Sequence, residues 1–161
     1  MTPQGRPSRG KSGFSISLKG RALRLLAGRE QSRAELQKKL GLYAETPAQL
    51  TEVLDELEAK DFISETRVVD SVVNRRSARF GASRIKYELL NKGLNPELVA
   101  EAVSQLKGSE LERAQDIWRK RFAEPAADQA GRAKQMRFLA GRGFSGDVIR
   151  RVIAGGDGDN D

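Results

Sequence analysis

The sequence predicts an all-α protein built from three tandem three-helix repeats. Apolar residues recur at intervals of three and four rather than two, which is the spacing of one helix face. Residues 87–103 and 137–153 also align when one stretch is shifted by 50 positions, and this pairs Gly93 with Gly143. A period of this length is typical of stacked supersecondary units.

The first third of the chain joins the repeat at a shift of 49 positions, where Leu36 and Leu40 pair with Ile85 and Leu89. Each unit is too small to hold a comfortably stable core alone, so we expect neighbouring units to pack in a row. Residues 1–17 form a basic segment and residues 155–161 an acidic tail, and we expect both to be disordered. The predicted units are 18–63, 64–108 and 109–154.

Unit one contains two helix-start signals. Ser32 and Glu35 have the spacing of a capping box, in which each side chain accepts a hydrogen bond from the other residue's backbone N–H. Thr46 and Gln49 have the spacing of a second capping box, and Pro47 begins this helix, because proline at the first helical position loses no hydrogen bond. The predicted helices are 18–29, 32–41 and 46–60.

Unit two opens with valines, which are mediocre helix formers. Their spacing, at Val68, Val69, Val72 and Val73, nevertheless favours a helix over a strand. Asn95-Pro96 repeats the start signal of unit one. The predicted helices are 65–78, 82–92 and 95–107.

Unit three contains a third capping-box pattern, from Ser109 to Glu112. Trp118 lies on an apolar stripe, and we assign it to the core rather than to a ligand platform. Ser145 and Asp147 place a cap and a favourable charge at the last helix start. The predicted helices are 110–122, 127–141 and 145–154.

A glycine turn joins the second and third helices of units two and three. Gly93 and Gly143 lie where a chain leaving a helix adopts the left-handed conformation. Leu94 and Phe144 follow and should fold back onto the helix just ended. The turn of unit one, after Gly41, matches this pattern less well.

Composition excludes several functional classes. The chain has no cysteine and no histidine, so disulfides, thiolate metal sites and histidine-based catalysis are absent. Neither a phosphate-binding glycine loop nor a metal-like carboxylate spacing occurs, so we expect no enzyme activity, cofactor or metal. No apolar run reaches the ~20 residues that span a bilayer, and the basic N-terminus lacks the apolar stretch of a secretory signal, so we expect no membrane association and a cytoplasmic location. We also expect a monomer.

The net charge of +7 is unevenly distributed. Residues 20–62 are nearly neutral, whereas 63–108 and 109–154 carry net charges of +3 and +4. This gradient suits a polyanion or an acidic protein groove, although a solvated arginine-rich surface would explain it equally well.

Three stretches together resemble the signatures of the RecX family, bacterial modulators of the RecA recombinase. They read RALRLLAGREQSRAELQKKL at 21–40, RFGASRIKYELLNKGL at 79–94 and KQMRFLAGRGFSGDVIRRVI at 134–153. The resemblance covers about 18–154. One departure is the opening of unit two, where valines at 68 and 69 replace the Phe-Ala pair of many members.

The resemblance implies an elongated, curved array of three-helix modules without catalytic activity. It also implies that the protein binds RecA, as the RecA–single-stranded DNA filament, along the filament groove. There it would suppress the ATPase, strand-exchange and coprotease activities of RecA, and so restrain recombination and the SOS response.

Two basic clusters are the candidate partner-binding sites. Any single arginine is better explained as solvated surface. The same holds for the helix-end runs Arg119-Lys120-Arg121 and Lys38-Lys39. The two clusters taken together, however, favour contact with a partner. The first cluster comprises Arg75, Arg76, Arg79, Arg84 and Lys86, and the second comprises Arg132, Lys134, Arg137 and Arg142. Arg150 and Arg151 on the last helix are further candidates.

A helical DNA-binding protein that acts without RecA is the alternative function. Three-helix units with a glycine turn resemble helix-turn-helix readers. However, the third helices at 46–60 and 95–107 are acidic on balance, and only 145–154 is basic. We therefore expect weak, nonspecific DNA binding rather than sequence-specific recognition.

Overall fold

A computed structural model describes residues 15–155, and within that range every regular element is an α-helix. The predicted all-α class is confirmed, and each predicted helix occurs within two residues of its expected ends. The expected disorder of the N-terminal segment and of the tail falls mainly on 1–14 and 156–161, outside the described residues. The helices are α1 Leu18–Gly28, α2 Arg33–Leu40, α3 Pro47–Ala59, α4 Glu65–Arg76, α5 Ala82–Asn91, α6 Pro96–Gly108, α7 Glu110–Arg121, α8 Gln129–Gly141 and α9 Gly146–Ile153.

The buried apolar residues form three separate clusters, one for each set of three helices. The first extends from Leu18 to Ile63, the second from Val68 to Leu106 and the third from Ala114 to Val152. The valines of α4 pack inward as expected. Trp118 is half-buried against the third cluster, and its indole N–H donates to Gln135 Oε1 at 3.2 Å.

Most of the predicted helix caps form. Ser32 and Glu35 make both hydrogen bonds of a capping box, and Thr46 and Ser145 each accept from a backbone N–H three residues later. The box predicted at Thr46 forms only in part, because the Gln49 Oε1 accepts from the Glu45 N–H instead of the Thr46 N–H. The capping box predicted at Ser109 is wrong, because that side chain makes no cap hydrogen bond. Ser109 Oγ donates to the Leu106 carbonyl of α6 and accepts from the Arg113 guanidinium.

The two glycine turns also form as predicted. Gly93 and Gly143 have φ of 71° and 90°, and the residues that follow, Leu94 and Phe144, are buried. Gly41 of unit one instead keeps a right-handed φ of −54°, and the turn after it leaves Leu42 exposed. The left-handed residue of unit one is Asp61, with φ of 62°, near the end of α3.

Each glycine turn docks against the start of the second helix in the preceding unit. In the first junction Ser32 Oγ donates to the Lys92 carbonyl at 2.6 Å, and Lys92 Nζ donates to Glu35 Oε1 at 3.0 Å. A Cβ on Gly93 would lie 2.7 Å from the Ala34 Cβ. The glycine therefore permits close packing between units as well as a left-handed turn.

The second junction repeats this arrangement more tightly. The N–H of Gly81 donates to the Arg142 carbonyl at 2.7 Å, and the N–H of Ser83 donates to the Gly143 carbonyl at 3.3 Å. A Cβ on Gly81 would lie 2.3 Å from that Gly143 oxygen, so no side chain can cap α5 from this position.

Unit three supplies the missing cap from α7. The buried carboxylate of Glu110 accepts a hydrogen bond from the Ala82 N–H at 3.2 Å. Arg113 of α7 donates to the carbonyls of Ser77 and Phe80, in the segment that follows α4, at 2.8 and 2.7 Å. Burial lowers the pKa of the Arg113 guanidinium, and the nearby charge of Glu110 opposes the shift. These contacts lock unit three onto unit two.

Substituting Gly143 with alanine should destabilise the protein by about 2–4 kcal/mol. Its φ of 90° is strained for any residue with a Cβ, and the new Cβ would lie 2.6 Å from the Arg84 Cβ. Gly141→Ala is the matched control, since a Cβ there meets nothing within 4 Å and alanine favours the helix. Urea unfolding measures both variants, and equal stabilities would contradict the assigned role of the turn.

Glu35→Gln should destabilise the protein at pH 7 by about 1–3 kcal/mol, because it removes a charged hydrogen bond between two largely buried side chains. Burial raises the pKa of Glu35, but the hydrogen bond and charge of Lys92, together with Ser32 N–H and Arg29, outweigh burial and lower it. The stabilisation is therefore complete above the unfolded pKa of about 4.3 and is lost as pH falls through the lower folded value.

The stability difference between Glu35→Gln and the parent should accordingly shrink below about pH 4. Glu101→Gln, at an exposed position of α6, is the control and should change stability little at any pH. A Glu35→Gln difference that stays constant from pH 7 to pH 3 would contradict the ion pair.

Candidate partner-binding surface

The segment between α4 and α5 brings arginines from both predicted clusters together. Phe80 is buried there, and its backbone N–H donates to the Arg76 carbonyl at 2.9 Å. The guanidinium carbons of Arg84, Arg142 and Arg76 lie 4.1, 5.5 and 5.7 Å from the centre of its ring. Two arginines of the first cluster and one of the second thus share one aromatic ring across the junction between units two and three.

Two of these arginines have structural partners. Arg76 Nε lies 3.2 Å from Glu88 Oε2, and this ion pair links α4 to α5. Arg84 donates to the Gly141 carbonyl, at the end of α8, at 3.2 Å. Arg84 therefore helps to hold the junction between units two and three, whereas Arg76 joins two helices of unit two.

A cleft of ≈ 340 Å³ opens at the same junction, between the segment that joins α4 to α5, helix α7 and the C-terminal end of α8. We call it the junction cleft. Arg79, Lys120, Arg121 and Arg142 surround it, and Ala78, Ile117 and Phe138 form its apolar part. Phe138 also packs edge-on against Phe122, with ring centres 5.3 Å apart.

The charge of the junction cleft is unbalanced. Its lining includes four basic residues and no acidic one, and within 15–155 none of the four lies within 4 Å of a carboxylate. Arg142 and Arg121 lie 5.2 and 5.9 Å from the Phe138 ring centre. The cleft can therefore accept a group that joins negative charge to an apolar or aromatic surface.

Lys120 and Arg121 are functional candidates, although their place at the end of α7 predicts a solvated surface. They follow Ile117 at spacings of three and four residues and so share its side of α7. That spacing is the signal that could have identified them.

The remaining candidates lie outside the junction cleft. Arg75 and Lys86 are exposed on α4 and α5. On α8, Arg132 and Lys134 are two positions apart, which is about 200° around the helix axis, so they lie on nearly opposite faces. The structure thus separates parts of the predicted second cluster. Arg137 is exposed on α8, Arg151 is exposed on α9, and Arg150 pairs with Asp147 within α9.

Basic residues of unit one, in contrast, pair with three of the four acidic residues of α3. Arg33 pairs with Asp55 and Glu58, and Lys19 and Lys60 both contact Glu56. The hydrogen bonds and charges of Lys19 and Lys60, of which the Lys19 hydrogen bond is the largest, lower the pKa of Glu56 to about 2. In unit three the ion pairs of the described residues are local ones within a helix, such as Arg119 with Asp116. Among the described residues, unpaired basic side chains are therefore most numerous in unit three, which the sequence gives the highest net charge.

Residues 15–155 contain no group of three or more acidic side chains placed to hold a metal ion. None of their helices has the length and apolar character needed to cross a membrane.

Comparisons with known proteins agree on one family. A family model described as "RecX, third three-helix domain" matches residues 109–153. "Regulatory protein RecX" of Leptothrix cholodnii is 51% identical over 146 residues, covering 91% of this chain and 93% of the relative. The protein of the same name from Ralstonia nicotianae is 46% identical over 142 residues, covering 88% and 89%.

A solved structure supports the fold independently. The crystal structure of RecX from Lactobacillus salivarius superposes with a TM-score of 0.73 at 22% sequence identity, covering 85% of this chain and 92% of that one. The three-helix units, their order and the near-full-length relatives lead to a single conclusion: the chain belongs to the RecX family of regulatory proteins.

Proposed function

We propose that the protein binds the RecA–single-stranded DNA filament and inhibits the ATPase, strand-exchange and coprotease activities of RecA. It would thereby restrain recombination and the SOS response, acting in the cytoplasm as a monomer. Membership of the RecX family supports a regulatory role, and the junction cleft is the observation that supports a binding mechanism.

The chemistry of the junction cleft suits binding rather than catalysis. Its polar groups are three arginines and a lysine, which carry permanent positive charge and act by attraction. The apolar part can hold an aliphatic or aromatic side chain of an acidic protein surface. The filament offers phosphates as well, so this cleft and the exposed arginines of α8 and α9 could contact protein and DNA together.

The arrangement of the cleft also supports a role for the whole array. Arg79 belongs to unit two, whereas Lys120, Arg121 and Arg142 belong to unit three. The surface exists only while the two units are docked. The affinity for a partner bound there would depend on the angle between units two and three, which the glycine turn and Arg113 hold fixed.

RecA ATP hydrolysis on preformed filaments tests this proposal. We expect the parent protein to lower the rate at equimolar protein and the double variant Arg79→Ala/Arg121→Ala to need about tenfold more protein for the same inhibition. The loss of two unpaired charges, and of the contact of Arg121 with the Phe122 and Phe138 rings, explains the weakening. Thermal melts establish that the variant is folded.

The double variant Lys38→Ala/Lys107→Ala is the matched control. It removes the same charge at exposed positions of α2 and α6, outside the junction cleft, and should inhibit like the parent. Equal inhibition by both double variants would remove the cleft from the site. No change of RecA activity with the parent protein would contradict the function itself.

Raising the concentration of single-stranded DNA distinguishes the proposed function from the alternative, in which the protein binds DNA and acts without RecA. Inhibition by DNA sequestration should disappear as DNA is added, whereas inhibition by filament binding should persist. Salt-sensitive DNA binding of similar strength with and without RecA would favour the alternative.

A further inference from the structure

A second groove, in unit one, lies far along the chain from the junction cleft. Its lining consists of Arg21, Arg24, Leu25, Lys39, Leu40 and Tyr43, and its volume is ≈ 260 Å³. We call it the turn groove, because Tyr43 comes from the turn that joins α2 to α3. Its small size suits one base or one side chain rather than a whole drug-sized ligand, for which pockets of about 300–1,000 Å³ are usual.

The turn groove combines an aromatic platform with uncompensated cations. The guanidinium of Arg21 lies 4.0 Å from the centre of the Tyr43 ring, and that side chain remains 54% exposed. Arg21 and Arg24 have no carboxylate within 4 Å in the described part of the chain. Lys39 is held by the buried Gln31, whose Oε1 accepts from its Nζ at 2.8 Å. Glu45 is the nearest acidic residue in sequence, but it does not line the groove.

The ion pairs of unit one explain how a nearly neutral unit can present a basic face. Lys19, Arg33 and Lys60 neutralise carboxylates of α3. The basic residues that remain unpaired lie on α1 and α2, and the turn groove lies between these two helices. Unit one is therefore nearly neutral overall, although the face formed by α1 and α2 is positively charged.

The repeat places the two grooves at equivalent positions. Lys39 and Tyr43 of the turn groove correspond to Phe138 and Arg142 of the junction cleft. Each site thus lies between the first two helices of its unit and combines cations with an aromatic ring. In unit two the position equivalent to Lys39 is Glu88, and its ion pair with Arg76 joins the two helices there.

We propose that the turn groove is a binding site for single-stranded nucleic acid. An unpaired base would stack on the Arg21–Tyr43 pair, and the adjoining phosphates would contact Arg24 and Lys39. Basic residues interleaved with an exposed aromatic are the features by which proteins bind single strands without reading sequence. The absence of acidic lining residues and the stacked guanidinium favour this ligand over an apolar protein segment.

Binding of the full-length protein to a fluorescent oligo(dT), measured by anisotropy without RecA, tests the site. Tyr43→Ala should weaken binding by about five- to a hundredfold, the range typical of losing one stacked base. Tyr43→Phe keeps the ring and should bind like the parent. Tyr87→Ala is the matched control, because that tyrosine is 69% exposed on α5 and lines no groove described above.

The salt dependence of binding provides an independent readout. Arg24→Ala should reduce the slope of log affinity against log salt by about one, because one phosphate contact is lost. Lys38→Ala, at an exposed position outside the groove, should change the slope less. Oligo(dT) affinities of Tyr43→Ala and Tyr87→Ala that both equal the parent's would overturn the proposal.

These measurements are independent of RecA, so their failure would leave the proposed inhibition of RecA untouched. If Tyr43→Ala instead impairs RecA inhibition while its oligo(dT) affinity is unchanged, the turn groove binds protein and the nucleic-acid assignment is wrong.

Discussion

The contact on which this structure depends is the docking of a glycine turn against the start of a helix in the preceding unit. A helix start exposes N–H groups that no residue of the helix itself can satisfy. In α5 these groups are bonded to the next unit, by the carbonyls of Arg142 and Gly143 and by the carboxylate of Glu110. Unit two therefore has an incomplete helix end until unit three is in place.

The same requirement explains why glycine occurs on both sides of the second junction. Gly143 needs a positive φ to turn the chain, and Gly81 needs to lack a Cβ so that the turn can approach. Because Gly81 has no side chain, it cannot cap α5 in the way that Ser32 caps α2 at the equivalent position of unit one. Glu110 offsets that loss from across the junction.

The candidate surface is a consequence of this docking. The turn carries Arg142 to the ring of Phe80, and α7 brings Lys120 and Arg121 to the same side. Two basic stretches far apart in sequence thereby share one cleft. In unit two the residue equivalent to Lys39 and Phe138 is Glu88, and it forms an ion pair with Arg76 of the same unit. One repeated framework thus produces an ion pair in unit two and a basic, aromatic-lined groove in units one and three.

Local signals in the sequence predicted most of the fold. Caps such as Ser32 with Glu35, and turns such as Gly93, depend on residues close in sequence, and they formed as expected. Ser109 shows the limit of such signals. It has the spacing of a capping box, but Arg113 and Glu110 are engaged by unit two, so the local pattern is overridden by a contact between units.

Site prediction was limited for the same reason. Proximity in sequence grouped Arg132 with Lys134, although a helix points them apart. It could not group Arg79 with Arg121, which only the junction brings together. The pairing of Arg76 with Glu88 was equally invisible, because charges distant in sequence meet only once the helices pack.

Amide hydrogen exchange at the start of α5 tests the docking of units most directly. If unit three caps this helix, the N–H groups of Gly81, Ala82 and Ser83 should exchange within about tenfold of the core amides of Ile85 and Leu89. Exchange of these three groups near the rate of an unfolded peptide, while Ile85 and Leu89 remain protected, would show that the units are not locked together and would contradict the account.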